Sequence, residues 1–371
     1  MRKNLLFIGI DVDDKSFNVA IISKTTGELK HFKCKPTFGA LCKKLDKIKE
    51  AGDVLKICYE STYLGFSLCR NIRKHGYDCQ VIAASLIPDR PGKKVKTDKI
   101  DSKKLAIYYM QGLLTIVNLP DENDEANRDL IRSRAFIVQQ AKALKTHITS
   151  TCKRMNIDYK NETGLLHYWT NKHRIWIDKR VKELPENNYL KINLASLIAT
   201  LNQLENTIKF YEDKITEMAK EKKYENKTKS LIAYRGIKTL TAMTIITELG
   251  DINRFSHPRK LVSYLGLDII EYSSGGKQRK YGITKMGNGI VRKALVESSQ
   301  YASRPPAMSR ALLKRREGLD TKYLEIADKC MQRLNKKSYR MLKQNKNGNL
   351  VKVACAREMV GFIWETLKLA S

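Results

Sequence analysis

The sequence predicts a mixed α/β domain at the N-terminus followed by a long helical region. Three observations carry that prediction. Short apolar runs alternate with helically spaced segments through residues 1–85. From Leu190 to Met218 apolar residues recur at strict 4-3 spacing. The chain has 371 residues and is 42% hydrophobic, enough for two or three domains with cores of their own.

Taken in order, Leu5–Val12, Phe17–Ser23 and Leu29–Cys34 read as strands, the last two joined by Thr25-Thr26-Gly27-Glu28. Phe38–Lys49 has helical spacing through Leu41, Leu45 and Ile48. Val54–Tyr59 reads as a buried strand, Leu64–Lys74 as a helix ended by His75-Gly76, and Cys79–Ala84 as a fifth strand. A three-strand meander followed by helix, strand, helix and strand makes a mixed sheet, an order that matches the ribonuclease-H-like layout. Pro88–Lys104 is basic and broken by Pro88, Pro91 and Gly92. A helix capped by Thr97 or Asp98 then runs to Gly112.

Beyond Pro120 the chain is helical. Leu190, Leu194, Leu197, Leu201, Leu204, Ile208, Tyr211, Ile215 and Met218 form a coiled-coil seam or one arm of a helical hairpin. Leu130, Ile137, Ala141, Leu144 and Ile148 keep the same register, interrupted by Arg134. Both an intramolecular hairpin and subunit pairing satisfy the pattern. The unbroken length of the seam favours a homo-dimer or tetramer through residues 190–218. From Ser230 small residues and glycine increase. Leu231–Leu249, Lys260–Leu265 and Asn288–Ala302 read as helices, and Asp268–Ile283 as two short strands. The expected domains are residues 1–120, 121–228 and 229–371.

Charge narrows the function. Seventy Lys and Arg against 39 Asp and Glu leave a net charge of +31, which calls for a polyanionic partner. Lys277–Lys293, Arg304–Arg316 and Lys329–Lys352 contain no acidic residue at all. The hydrophobic content excludes a disordered chain. No apolar run is long enough to span a membrane, and the N-terminal apolar stretch continues into Asp11-Val12-Asp13-Asp14 without a cleavage site. Eight cysteines without a CxxC pair and six scattered histidines argue against structural zinc and for a reducing, cytoplasmic setting.

Two constellations carry chemistry. Asp11 ends the first strand, Glu60 ends the fourth, and Asp98 and Asp101 share one face at the start of a helix. Four carboxylates can hold two Mg²⁺ ions, hard cations suited to phosphodiester chemistry. Separately, Asp11 could close a turn, Asp98 could be a helix cap and Glu60 a solvated strand end. In the second constellation, Tyr272-Ser273-Ser274-Gly275-Gly276-Lys277 lets backbone approach a phosphate closely, with Lys277, Arg279 and Lys280 alongside. Thr284–Gly289 carries Lys285 and opens a helix with Arg292 and Lys293, whose N-terminal amides add to an anion site. An ordinary glycine hairpin with solvated lysines fits these residues as well. Ala233–Thr244 looks like the loop of a helix-hairpin-helix binder of DNA backbone, with Lys238 in place of the second glycine.

These blocks together resemble the DEDD transposases of the insertion sequence 110/1111 family, which include pilin-gene invertases. FIGIDV (Phe7–Val12), YES (Tyr59–Ser61) and TDKIDSKKLA (Thr97–Ala106) are similar to its RuvC-like domain. RGIKTLTAMTIITELGDINRF, LVSYLGL, YSSGGK and TKMGNGIVRKAL are similar to its transposase domain. Arg235 and Lys238 replace the usual proline and glycine of the hairpin, and Ser102 stands where alanine is common. The resemblance implies a RuvC-like catalytic domain, a coiled-coil segment and a C-terminal transposase domain. It implies that Asp11, Glu60, Asp98 and Asp101 hold Mg²⁺ on the scissile phosphate. Ser274, with Ser273 in reserve, would attack it to form a phosphoserine–DNA intermediate. It also implies a structured guide RNA from the element's own end, so that base pairing chooses donor and target DNA. A RuvC-like nuclease or junction resolvase would need the carboxylates alone, and a non-catalytic RNA-binding scaffold would need neither set.

Overall fold

The computed structural model describes residues 4–50, 52–88, 97–274 and 277–371, with backbone alone for residues 273, 274, 277, 278 and 280. Pro91, Gly92, Gly275 and Gly276 lie outside the described residues. The chain divides into two compact units, Met1–Asp121 and Glu122–Ser371.

The first unit is a five-stranded mixed sheet with helices on both faces. Its elements are β1 (Leu5–Val12), β2 (Phe17–Ser23), β3 (Leu29–Cys34), α1 (Phe38–Ile48), β4 (Val54–Glu60), α2 (Ser67–Lys74), β5 (Asp78–Ile82) and α3 (Asp98–Met110). The strand order is β3-β2-β1-β4-β5. Short turns make β1, β2 and β3 antiparallel, whereas the crossovers through α1 and α2 make β1, β4 and β5 parallel. Side chains alternate between the two faces of each strand. Ile8 and Ile10 of β1, Val19 and Ile21 of β2, and Ile57 and Tyr59 of β4 pack under α1 and α2. The other face belongs to α3, which lays Ala106 on Ala20 and Ile22 and Leu105 on Cys58 and Ile82. Thr37 caps α1 by accepting from the Ala40 amide, and Thr97 caps α3 by accepting from the Ile100 amide.

The second unit is helical apart from one hairpin. It comprises α4 (Glu122–Arg154), α5 (Tyr159–Thr163), α6 (Asn171–Glu183), α7 (Tyr189–Met218), α8 (Glu225–Ile232), α9 (Thr239–Leu249) and α10 (Pro258–Tyr264). Strands β6 (Ile269–Ser274) and β7 (Lys277–Ile283) follow, then α11 (Gly289–Ser298), α12 (Arg310–Arg316), α13 (Thr321–Lys343) and α14 (Gly348–Leu369). The core forms where α14 contributes Cys355, Ala356, Val360 and Ile363 against α8, α10, α11 and α13, with α9 packed on α8 and α11. The helix expected over 231–249 is two helices, because Gly236 turns the chain at φ 92°. A Cβ there would lie 2.6 Å from the Ser298 carbonyl. All eight cysteines are free and buried. Among the described residues no helix is long and apolar enough to cross a membrane.

The 4-3 seam is spent inside the chain. Leu194 and Leu201 pack with Ala141 and Ile148 of α4, with Leu190, Leu197, Leu204 and Ile208 beside them. At the base of the hairpin Ile215 and Met218 join Ile131 in the main core of the unit. Arg134 opposite Glu212 and Lys145 opposite Glu205 show that α4 and α7 run antiparallel. Arg134, which interrupts the apolar register, donates from Nε to Glu212 Oε1 at 3.0 Å, so its charge has a partner across the hairpin. Of the 190–218 seam, Leu194, Leu201, Ile215 and Met218 are buried within the chain and Leu190, Leu197, Leu204, Ile208 and Tyr211 are half-buried, so the intramolecular hairpin accounts for the 4-3 pattern. Leu201 is fully buried, so Leu201→Glu should cost at least about 3 kcal/mol by placing a charge in this seam. The fall in melting temperature should be the same at every protein concentration, as checked by calorimetry. Seam pairing between subunits would instead make it concentration-dependent.

Candidate active site

Period-two alternation decides where the first-unit carboxylates emerge. Phe7, Gly9 and Asp11 share the α3 face of β1, and Cys58 and Glu60 share it on β4. Pairing Ile10 with Tyr59 makes Asp11 and Glu60 neighbours on parallel strands, and pairing Asp11 with Asn18 brings β2 to the same edge. Helix α3 then brings Asp98 and Asp101 over this edge. It can do so because a Cβ on Gly9 would lie 2.3 Å from the Ser102 carbonyl oxygen and 2.4 Å from the Ala106 amide nitrogen. The glycine therefore sets backbone-to-backbone contact between α3 and β1. Asn18 is buried and donates from Nδ2 to Asp98 Oδ2 at 3.2 Å, tying the start of α3 to the sheet.

The electrostatics report the same convergence. The Asp11 carboxyl is pushed up from 3.8 to about 6, first by burial and then by the charges of Asp98, Asp101, Glu60 and Asp13. Asp98, Asp101 and Glu60 thus all act on Asp11. Among the described residues no three His, Cys, Asp or Glu side chains converge to ligand distance, so the set is one of repelling neighbours, not a closed cage. Its chemistry fits a divalent cation: every donor is a carboxylate oxygen, and the excess negative charge is of the kind a hard cation relieves. Around the rim, Tyr63 donates to Asp14, and Ser102 Oγ lies 3.3 Å from His31 Nε2. Burial, followed by the Lys99 charge, holds the His31 ring below its usual pKa.

Gly9, Asn18 and Tyr63 were not among the residues singled out from sequence. A glycine inside the apolar run of β1 and an asparagine inside that of β2 were the available signals. Tyr63 offered none.

In the second unit, Ser273 pairs with Gln278 and Ser274 with Lys277 at the end of the β6–β7 hairpin. The side chains of Ser273, Ser274, Lys277 and Lys280 lie outside the described residues. Arg279 is exposed, and the rings of Tyr272 and Tyr281 meet edge to face at 5.7 Å across the hairpin. The hairpin's root is tightly tied. Thr284 donates to the Asp268 carbonyl at 2.9 Å and Lys285, at φ 57°, donates to that of Gly266 at 3.0 Å. A Cβ on Gly287 would lie 2.1 Å from the Tyr264 carbonyl oxygen. Asn288 caps α11 and donates to Glu248 Oε2 at 2.8 Å. Glu248 is only 1% exposed and also receives both arms of Arg132, at 2.7 and 2.9 Å. Neither Glu248 nor Arg132 was picked from sequence, although a glutamate in the apolar α9 was a visible oddity. Of the cations expected to face phosphate, Lys285 is exposed and Lys293 lies 3.9 Å from Glu297 on the surface. Arg292 turns inward, donating to the Leu265 carbonyl at 2.7 Å. At the α8–α9 turn Arg235 likewise donates to the Pro305 carbonyl at 2.7 Å.

Two outcomes test this geometry. Gly9→Ala should lower stability in urea by about 1–3 kcal/mol through overpacking. By lifting α3 it should also return the Asp11 pKa toward 3.8 in an NMR titration. Asp11 binds its proton more tightly folded than unfolded, so its penalty is absent below pH 3.8, grows toward 6 and is complete above 6. Asp11→Asn should therefore raise the melting temperature in EDTA above pH 6 and leave it unchanged below pH 3.8. A variant that melts lower than the parent above pH 6 contradicts the repulsion.

The chain is similar to known proteins over nearly its whole length. Residues 8–157 match the DEDD transposase family of IS110, and residues 229–313 match the IS116/IS110/IS902 transposase family. A transposase candidate of Sinorhizobium fredii, y4qE, is 32% identical over 361 residues, covering 96% of this chain and 87% of that one. The transposase of element IS1533 from Leptospira borgpetersenii is 27% identical, covering 90% of this chain and 96% of that one. The transposase of element IS1328 from Yersinia enterocolitica is 25% identical, covering 80% and 84%. On these matches the chain belongs to the IS110/IS1111 family of transposases, and it is an enzyme that cuts DNA.

Proposed function

We propose that this transposase recombines DNA through a serine–DNA intermediate, with the first unit acting as a ribonuclease-H-like, RuvC-type catalytic domain. The observation that carries the reading is the Asp11 carboxyl on one edge of the sheet, pushed to about 6 by burial and then by the charges of Asp98, Asp101 and Glu60. Asp11, Glu60, Asp98 and Asp101 would hold Mg²⁺, which when bound supplies charge neutralisation at the scissile phosphate. Asn18 positions Asp98, and the Gly9 contact sets the height of α3 above the strands. The oxygen of Ser274, with Ser273 as the alternative, attacks phosphorus. A serine–phosphate bond forms, the bond to the leaving strand breaks, and that strand departs with a free hydroxyl. Attack by the hydroxyl of another strand reverses these changes and frees the serine, so strands rejoin without an outside energy source. Lys277, Arg279, Lys280, Lys285 and Lys293 would meet phosphates near the hairpin. Arg292 acts instead as a brace beneath it. A structured guide RNA from the element's end would choose donor and target by base pairing, which suits a chain of net charge +31.

The test is strand cleavage and covalent capture on a labelled DNA substrate. Asp101→Ala should lose cleavage while retaining nucleic-acid binding, and EDTA should do the same to the parent. Ser274→Ala should abolish the protein–DNA adduct seen on a denaturing gel, with recombination down by more than about 10³-fold. Full adduct formation by Ser274→Ala and its loss in Ser273→Ala would move the nucleophile by one residue. Cleavage that survives both serine substitutions would make the chain a nuclease that works through its carboxylates alone.

A further inference from the structure

The largest uncompensated charge on one element of the second unit lies along α13. Its buried side carries Ile326, Ala327, Cys330, Leu334 and Ser338. Its opposite side carries Lys329, Arg333, Lys336, Arg340 and Lys343, all exposed. At 3.6 residues per turn these five cations fall within an arc of about 80°. Of the five, Arg333 is paired with Glu358, which also holds Lys337; the other ion pairs of this helix lie off the stripe, Lys322 with Asp320 at 3.1 Å and Arg316 with Asp328 at 2.6 Å. Lys329, Lys336, Arg340 and Lys343 belong to none of these pairs. Like charges three and four residues apart weaken a helix, so this stripe stands against the stability of its own element. Tyr339, 70% exposed, flanks the stripe and buries little against the fold.

We infer that this face of α13 is a docking surface for the phosphate backbone of duplex DNA. Lys329, Lys336 and Lys343 recur every seven residues, roughly 10 Å apart along the axis. That interval is close to the width of about 12 Å of a B-form major groove. A straight, one-sided row of cations follows phosphates and reads no bases, so the surface serves affinity for any sequence. Tyr339 presents a ring and a hydroxyl to the same backbone. The inference rests on the family's action on DNA and is independent of which serine attacks.

The test compares three full-length proteins: the parent, a triple variant Lys336→Gln, Arg340→Gln, Lys343→Gln, and a control triple Lys172→Gln, Lys179→Gln, Lys182→Gln on the exposed face of α6. Binding to a labelled DNA duplex of arbitrary sequence, and to the RNA duplex of the same sequence, is followed by anisotropy across a salt series. Each lost phosphate contact takes about 0.9 from the slope of log affinity against log salt, so the α13 triple should lose roughly 2 to 3 on DNA. The control triple should keep the parent's slope. The α13 variant should still unfold cooperatively while binding more weakly, since relieved repulsion offsets the helix-dipole contacts that Arg340 and Lys343 make in the last turn. An unchanged DNA slope, an equal loss in the control, or a loss confined to RNA would overturn the inference.

Discussion

Backbone contact between α3 and β1 at Gly9 is the constraint on which the first unit's chemistry depends. Two residues further along the same face of β1 stands Asp11, and one turn before the contact on α3 stands Asp101. The height of α3 over the sheet therefore fixes how closely the carboxylates approach. With any larger residue at position 9 the helix would ride higher and the carboxylates would separate. The proton affinity of Asp11 is the electrostatic signature of that height. Asn18 performs the lateral part of the alignment, holding Asp98 from the neighbouring strand.

Much of this was legible in the sequence, and what was not has a physical cause. The apolar runs of β1 and β4 are readable to their last residues, so Asp11 and Glu60 are legible as carboxylates at two strand ends. The cap at Thr97 and the spacing of Asp98 and Asp101 were equally readable. The role of Gly9 was not, because a glycine in a strand shows only that something comes close, not what. The fate of the seam was open for a related reason. Heptad spacing specifies that a helix has a partner, and intrachain and interchain partners satisfy it alike. Arg134 held the missing clue, since a cation in an apolar register asks for an acid directly opposite, and Glu212 lies within the same chain. The break at Gly236 escaped a reading by periodicity because Leu231, Ile232, Ala233 and Ile237 on either side of it are apolar enough to pass for the start of α9.

The second unit organises its rigidity differently. Glu248 is a buried carboxylate that receives Arg132 from α4 and Asn288 from the cap of α11. A charge that deep persists only when its partners are held in place, so the three elements are fixed to one another at a single point. Gly266 and Gly287 let the chain fold back on itself immediately beside it. The β6–β7 hairpin thus rises from a root with little freedom. Arg292, whose sequence position suggested a phosphate ligand, is part of this root.

The α4–α7 hairpin meets the main core of its unit only at its base, where Ile131 joins Ile215 and Met218. Its far end closes on a separate apolar cluster around Ile148, Ile177 and Leu194. An arm clamped at one end is a cantilever. From Ile131 to Arg154 the arm spans roughly 35 Å at 1.5 Å per residue. A rotation of about 10° at the clamp would therefore sweep the tip through roughly 6 Å, about one helical turn. Displacements too small to disturb the packing at the base are amplified into a stroke that a bound partner at the tip would feel.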